Sequence, residues 1–282
     1  MPTYPENPRA EFIRAVRVPD AQIDLMVASL WLAAEENPAL DVPAYLGRVG
    51  LLAARIKLKV RRARSVFDGI HALNELLIEQ EGLRGNRADY YDPRNSYVSD
   101  VLDRKVGIPI ALSIIYIEVA RRAGLRLRGI GLPGHFVVRA GDGESEIFID
   151  PFNTGGLLTR RECLEMARSA GVGDGAERFL EPCGNRAILR RALTNLKAIF
   201  LKRDDQARAL AAAERIKIVE PGLWENLADL ARIHTAMGHY EAAAESLARY
   251  VDLAPDTHDL ASARETLRHL RALARGSGSE TA

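Results

Sequence analysis

A chain of 282 residues is long enough for about two domains of ordinary size. Its 47% hydrophobic and 27% charged residues are the balance of a globular protein, which excludes a disordered one. With 39 Lys and Arg against 38 Asp and Glu, the net charge of +1 gives no whole-chain attraction for nucleic acid or an acidic surface. Two cysteines, Cys163 and Cys183, are too few for a disulfide framework. No basic segment followed by an apolar core opens the chain. The most apolar stretch, Ile108 to Ala120, contains Glu118 and is too short to span a bilayer. A cytoplasmic protein without membrane attachment is expected.

Residues 9 to about 80 are expected to be helical. Ile23, Met26, Val27, Leu30, Trp31 and Ala34 recur at three- and four-residue spacing and share one face. Asn37-Pro38 ends that helix, because proline disfavours helical geometry in the residue before it. Asp41 is placed as an N-cap, with Pro43 in the first turn where its missing N–H costs nothing. Ser65 is placed to cap a further helix carrying Phe67, Ile70, Leu73, Leu76 and Leu77, which stops near Gly82. Between them runs a basic set: Arg55, Lys57, Lys59, Arg61, Arg62 and Arg64. With no interleaved aromatic for base stacking, it reads as a solvated helix face, and no nucleic-acid partner is expected.

From residue 82 the character changes. Tyr90 to Tyr97 (Tyr-Tyr-Asp-Pro-Arg-Asn-Ser-Tyr) is turn chemistry rich in aromatic and amide groups. An apolar helix from Pro109 to Arg122 follows, closed by Gly124. Leu125 to Leu132, His135 to Ala140 and Glu146 to Asp150 are expected strands, the last two joined through Gly141-Asp142-Gly143. A helix followed by a strand meander is an α+β arrangement.

Residues 186 to 274 return to helix and repeat. Leu193 and Leu227, Leu196 and Leu230, Ala209 and Ala243, Ile216 and Tyr250, and Pro221 and Pro255 stand 34 apart, which is the tetratricopeptide period. The second unit carries Gly238 between its helices where the first has Asp204. Two repeats rarely suffice alone, so they are expected to pack on the preceding domain, with Ser262 to Ala274 as a closing helix. The expected division is 1–81 helical, 82–181 α+β core, 182–274 repeats and 275–282 a disordered tail.

If the hairpin turns between Asp142 and Gly143, opposed residues have numbers summing to 285, and His135 faces Asp150 on one side of the sheet. An imidazole oriented by a carboxylate is the second half of a nucleophile–base–orienter triad, although a plain structural hydrogen bond would look the same. The wording around them, Pro133-Gly134-His135-Phe136 and Phe148-Ile149-Asp150-Pro151-Phe152, resembles the His and Asp segments of the transglutaminase-like (papain-related) superfamily. That resemblance implies a cysteine opening the buried helix. Pro109 stands there, in Gly107-Ile108-Pro109. Gly85-Asn86, Tyr90 to Ser96, Val101-Leu102, Gly107 to Ile110, Gly131 to Phe136 and Ile149 to Phe152 more closely resemble the bacterial SirB-type family. In that family a transglutaminase-like domain precedes tetratricopeptide repeats and the Gly-Ile-Pro wording is shared.

Other nucleophiles are conceivable: Ser113 one turn beyond Pro109, Ser96 in the polar turn, Cys163 and Cys183. Mid-helix serine usually bonds the backbone four residues back. Nothing in the sequence places either cysteine beside His135. The expected function is therefore a non-catalytic protein- or peptide-binding adaptor. His135 and Asp150 would be vestigial triad members, and Asn86, Tyr90, Asn95, Ser96 and Pro109 would line the cleft. The competing reading is an acyl-transfer or hydrolytic enzyme using His135 and Asp150 with an unidentified nucleophile. A plain scaffold is a third. No cofactor or metal is expected, and the oligomeric state is left open.

Overall fold

The computed structural model describes residues 7–173, 175–255 and 260–277. The chain divides into two compact units, Met1–Ala192 and Leu193–Ala282. The first opens with α1 (Pro8–Val16), α2 (Leu25–Glu36), α3 (Val42–Arg62) and α4 (Val66–Asn74). Each starts where a short polar side chain can accept an unpaired N–H of the first turn: Asn7, Asp24, Asp41 and Ser65. Ser65 does so in a reciprocal capping box with Asp68. Glu36 ends α2 just before Asn37-Pro38. α4 runs on into a π-helical turn, Glu75–Gln80, and Gly82 leaves it at φ +74°.

After α5 (Val98–Arg104) comes the central helix, α6 (Pro109–Ala123), in which every residue from Pro109 to Ala120 is buried. A helix apolar all round must be covered all round, and α2, α3 and α5 pack on it. The one charge in that buried stretch, Glu118, is paired: it accepts the N–H of Leu25 at 3.2 Å and binds Arg121 at 2.8 Å and Arg122, both in the last turn. Gly124, at φ +97°, ends the helix in a left-handed cap.

The sheet is an antiparallel meander of β3 (Leu127–Ile130), β4 (Val137–Ala140), β5 (Ile147–Asp150) and β6 (Gly156–Leu158). A separate two-residue parallel pair joins β1 (Arg84–Gly85) to β2 (Val106–Gly107). The β4–β5 register differs by two from the expected one: Val138 faces Ile149 and Arg139 faces Phe148, because a 3₁₀ turn at Gly143–Ser145 lengthens the tip. A shift of two keeps every side chain on its own face of the sheet. Ile130, Leu132, Val137, Phe148, Cys163 and Leu180 form the core between the sheet and α7 (Arg160–Ser169).

Helix α8 (Asn185–Lys202) begins within the first unit. Asp20 accepts the N–H groups of Asn185 (3.1 Å) and Arg186 (2.7 Å), and Pro182 bridges to Ile130. In the second unit α9 (Gln206–Val219), α10 (Trp224–Ala236), α11 (Tyr240–Leu253) and α12 (Leu260–Ser277) pack each on the next. Ala209 and Ala243, 34 residues apart, are both fully buried. Gly238 turns at φ +74°, and Asp204 takes the same left-handed conformation, φ +56°, in the other repeat. Residues 275–277, assigned to a tail by sequence, continue α12. Residues 278–282 lie outside the described set.

Candidate functional site

β4 begins at Val137, so His135 stands just before the strand, after Gly134 at φ +70°. Asp150 is the last residue of β5. One step beyond the Val138–Ile149 pair, Asp150 stands opposite Val137, and His135 is its diagonal neighbour on the same face. Nε2 of His135 lies 2.7 Å from Oδ2 of Asp150, with the two side chains 15% and 3% exposed.

Asp150 is held from several sides. Its Oδ1 accepts the backbone N–H groups of Phe152 (3.0 Å) and Asn153 (3.1 Å), and Oδ2 also accepts the Asn153 amide at 2.7 Å. Burial alone would push this carboxyl up. The hydrogen bond and charge of His135, with the Asn153 bonds, outweigh it and hold the group below the ordinary carboxylate value. Arg87 donates to Oδ1 of Asn153 and lies over the Phe152 ring, 5.8 Å from its centre. That ring is edge-on to both His135 and Tyr90, with centroids 6.0 Å away in each case. On the other side, Arg191 donates to the carbonyls of Leu132 and His135, each at 2.8 Å, and covers the Phe136 ring. Arg191 therefore fixes the turn that presents the imidazole.

The polar turn ties this corner to the start of α6. Gly85 N–H reaches the Phe152 carbonyl (3.1 Å), Asn86 N–H the Gly107 carbonyl (3.0 Å), and Ile108 N–H the Asn95 carbonyl (3.0 Å). Asn86 donates its side-chain amide to Oδ1 of Asn95 at 3.0 Å. Asn95, fully enclosed, donates to the carbonyls of Asp89 (2.6 Å) and Tyr90 (3.3 Å). Both amides are thus engaged within the turn itself. Tyr90 is half-buried, and burial raises its hydroxyl. Pro109 is the buried first residue of α6.

No hydroxyl or thiol among the described residues hydrogen-bonds His135. Ser96 and Ser113 are both buried, each with an Oγ that meets no partner. Cys163 sits in the sheet core, where burial pushes its thiol up to about 12. Cys183 is half-buried near Arg191 and the Gly131 N–H; burial outweighs both and raises it too. No group of three His, Cys, Asp or Glu among the described residues is placed to hold a metal ion.

Sequence reasoning missed Asn153, Arg87 and Arg191. Asn153, two residues past the Asp-Pro step, was findable as an Asx-type turn residue. Arg191 carries no such sign, because it reaches His135 from a helix 56 residues away in the chain.

Residues 43–194 match the transglutaminase-like superfamily profile, and residues 196–268 match a tetratricopeptide repeat profile. The chain belongs to the transglutaminase-like superfamily. It is 36% identical over 248 residues to a UPF0162 protein of Xylella fastidiosa (strain Temecula1), covering 86% of this chain and 88% of that protein. That extent places it in the UPF0162, or SirB-type, family. A UPF0162 protein of Vibrio cholerae is 26% identical over 196 residues, 68% of this chain and 72% of the other. F-box only protein 21 of Mus musculus is 39% identical over 102 residues, which are 33% of this chain and 16% of that protein. No solved structure matches significantly.

Proposed function

We propose that this UPF0162 protein is a non-catalytic adaptor of the cytoplasm that binds a protein or peptide segment. One observation carries the reading: the His135–Asp150 pair meets no nucleophile among the described residues, and a proline opens the helix where the superfamily resemblance calls for cysteine. In acyl transfer by this route a thiolate both attacks and carries the acyl group, and proline can do neither. The adaptor half rests on the repeats, since tetratricopeptide units are in general protein-interaction modules. At this corner, Tyr90, Phe152 and His135 would offer an aromatic and polar surface to an extended segment. Asn86 and Asn95 act behind it, holding the turn beside the buried Ser96, and Pro109 closes the helix start.

The test is a cysteine-directed electrophile on the full chain, with Cys163→Ser, Cys183→Ser and His135→Ala variants. Slow labelling, indifferent to His135→Ala, supports the proposal. Rapid labelling of one cysteine that is lost in His135→Ala would overturn it in favour of an enzyme with an imidazole-activated thiol.

A further inference from the structure

Helix α3 has two apolar faces, and among the described residues only one of them is packed. Val49, Leu52, Ala53 and Ile56 are buried and seat the helix on the domain. On the side away from them, Ala44, Gly47, Leu51, Ala54 and Leu58 are all exposed, Leu51 by 69% and Leu58 by 57%. Their spacing is three, four, three, four, which sets five residues along one edge of the helix. A solvated helix face needs no such repeat. Small residues alternate with leucines, and at Gly47 nothing lies within 4 Å of where a Cβ would stand. A second helix can therefore approach closely, with its side chains between the two leucines. Phe67, 50% exposed in α4, lies just beyond the seam's C-terminal end in sequence.

The charges that α3 itself sets beside this seam are all positive. On a helical wheel Arg48, Arg55, Lys59 and Arg62 border one side, Lys57 and Arg61 the other, and no acidic residue of α3 stands on either. Arg48, Arg55 and Lys59 are partly neutralised by Asp103, Glu81 and Glu75. Lys57, Arg61 and Arg62 are exposed and make no ion pair among the described residues. An apolar 3–4 seam within a cationic border is half of a helix–helix pairing whose other half is acidic.

We propose that the outer face of α3 docks an acidic amphipathic helix of a partner protein. The seam from Ala44 to Leu58 is about 21 Å long, so the partner helix needs about four turns. A second copy of this face does not fit, because it would bring cation against cation. Nucleic acid would use the cations and leave the leucines idle. This surface is separate from the His135 corner and stands or falls apart from it.

The experiment uses the full chain and a fluorescein-labelled synthetic helix of about 18 residues, about 27 Å long, with Leu at its a and d positions and Glu beside them. Its counterpart carries Lys for Glu. The acidic peptide should bind, more weakly at high salt, and the Lys peptide should not. Leu51→Ser with Leu58→Ser should weaken binding by about tenfold or more, the loss expected when two leucines go unburied. Arg61→Glu with Arg62→Glu should weaken it comparably. All four positions are exposed, so the variants should keep the parent's circular dichroism and melting temperature. The proposal is overturned if the acidic peptide fails to bind, if the Lys peptide binds equally, or if neither double variant matters. It is also overturned if the Leu variants abolish self-association or attachment to phosphatidylserine vesicles while peptide binding is absent.

Discussion

Replacing Asp150 with Asn separates the shape of this side chain from its charge. The carboxylate accepts four hydrogen bonds: two backbone N–H groups on Oδ1, and His135 and the Asn153 amide on Oδ2. In Asp150→Asn the amide oxygen can keep both backbone N–H groups. The new NH₂ then faces two donors. His135 can answer by exchanging tautomers and offering a bare Nε2, at the cost of a charge-assisted bond becoming a neutral one of roughly half the strength. Asn153 has no such escape, because turning its amide over would aim NH₂ at Arg87 instead of the oxygen Arg87 now binds. One bond to a charged acceptor is thus lost outright, worth about 1.5–3 kcal/mol, and with the weakened His135 bond the loss is about 2–4 kcal/mol.

For a unit of this size that is a fall in Tm of about 4–16 °C. The chain has two tryptophans, Trp31 in the first unit and Trp224 in the second. In a Trp224→Phe background, Trp31 emission during heating reports the first unit alone. The acid side supplies a second check. Asp150 has a depressed carboxyl in the folded chain, so its contribution is complete above the unfolded value of about 4 and is lost as pH falls through the folded one. Asn binds no proton, so the gap between parent and variant should close only in that acid window. A Tm change under about 2 °C at pH 7, or a gap that persists unchanged into acid, would refute the reasoning.

Gly85→Ala would set a Cβ 2.6 Å from the Phe152 carbonyl and ring, so the urea midpoint read by Trp31 should fall by the equivalent of about 1–3 kcal/mol; no change would mean that the turn yields freely. Thr154, a β-branched residue at φ +55° in the turn after Asp150, is strained, and Thr154→Gly should gain about 1 kcal/mol, a Tm rise of about 2–4 °C. An unchanged Tm would show that the strain is offset by the freedom glycine adds to the unfolded chain. In the second unit, Asn226 is 1% exposed and links the Ala213 carbonyl to Lys197, both at 2.9 Å. Asn226→Ala should cost about 2–3 kcal/mol by Trp224 emission and be non-additive with Lys197→Met, and additive losses would dismiss the link.

The parts of the fold legible in the sequence were those set by neighbours in the chain. Asp41, Ser65 and Asn37-Pro38 mark helix ends because caps and proline act within a turn of themselves. The 34-residue repeat was legible from its spacing, but that Asp204 takes the left-handed turn in place of glycine is seen only in the structure. The short β6 and the two-residue pair of β1 and β2 were not, because strands of two or three residues carry no readable alternation. The hairpin shows how far symmetry arguments reach. The tip was misplaced by one residue per arm, yet the pairing of faces survived, because the error was even and the side-chain period is two. Arg191 lay beyond any such reading, since only the fold brings α8 against the Leu132–His135 turn.

The His135–Asp150 pair has structural work enough to account for its geometry without a reaction. In a thiol enzyme the start of a buried helix helps to hold a thiolate, through free N–H groups and the positive end of the helix dipole. Here Pro109 contributes no N–H, its ring is buried, and the preceding N–H, of Ile108, is committed to Asn95. The same turn that closes the helix start runs through Gly85 to Phe152, and from there to Asp150. Asp150 in turn gathers His135, Phe152 and Asn153 about one carboxylate. The pair is therefore the fastening between β4, β5 and the polar turn, and it presents an imidazole with Asp150 on Nε2 and no protein partner for Nδ1 among the described residues. On the proposed reading, that nitrogen would hydrogen-bond a bound peptide. The site would then recognise an extended segment with groups that in a thiol enzyme would serve a reaction on one.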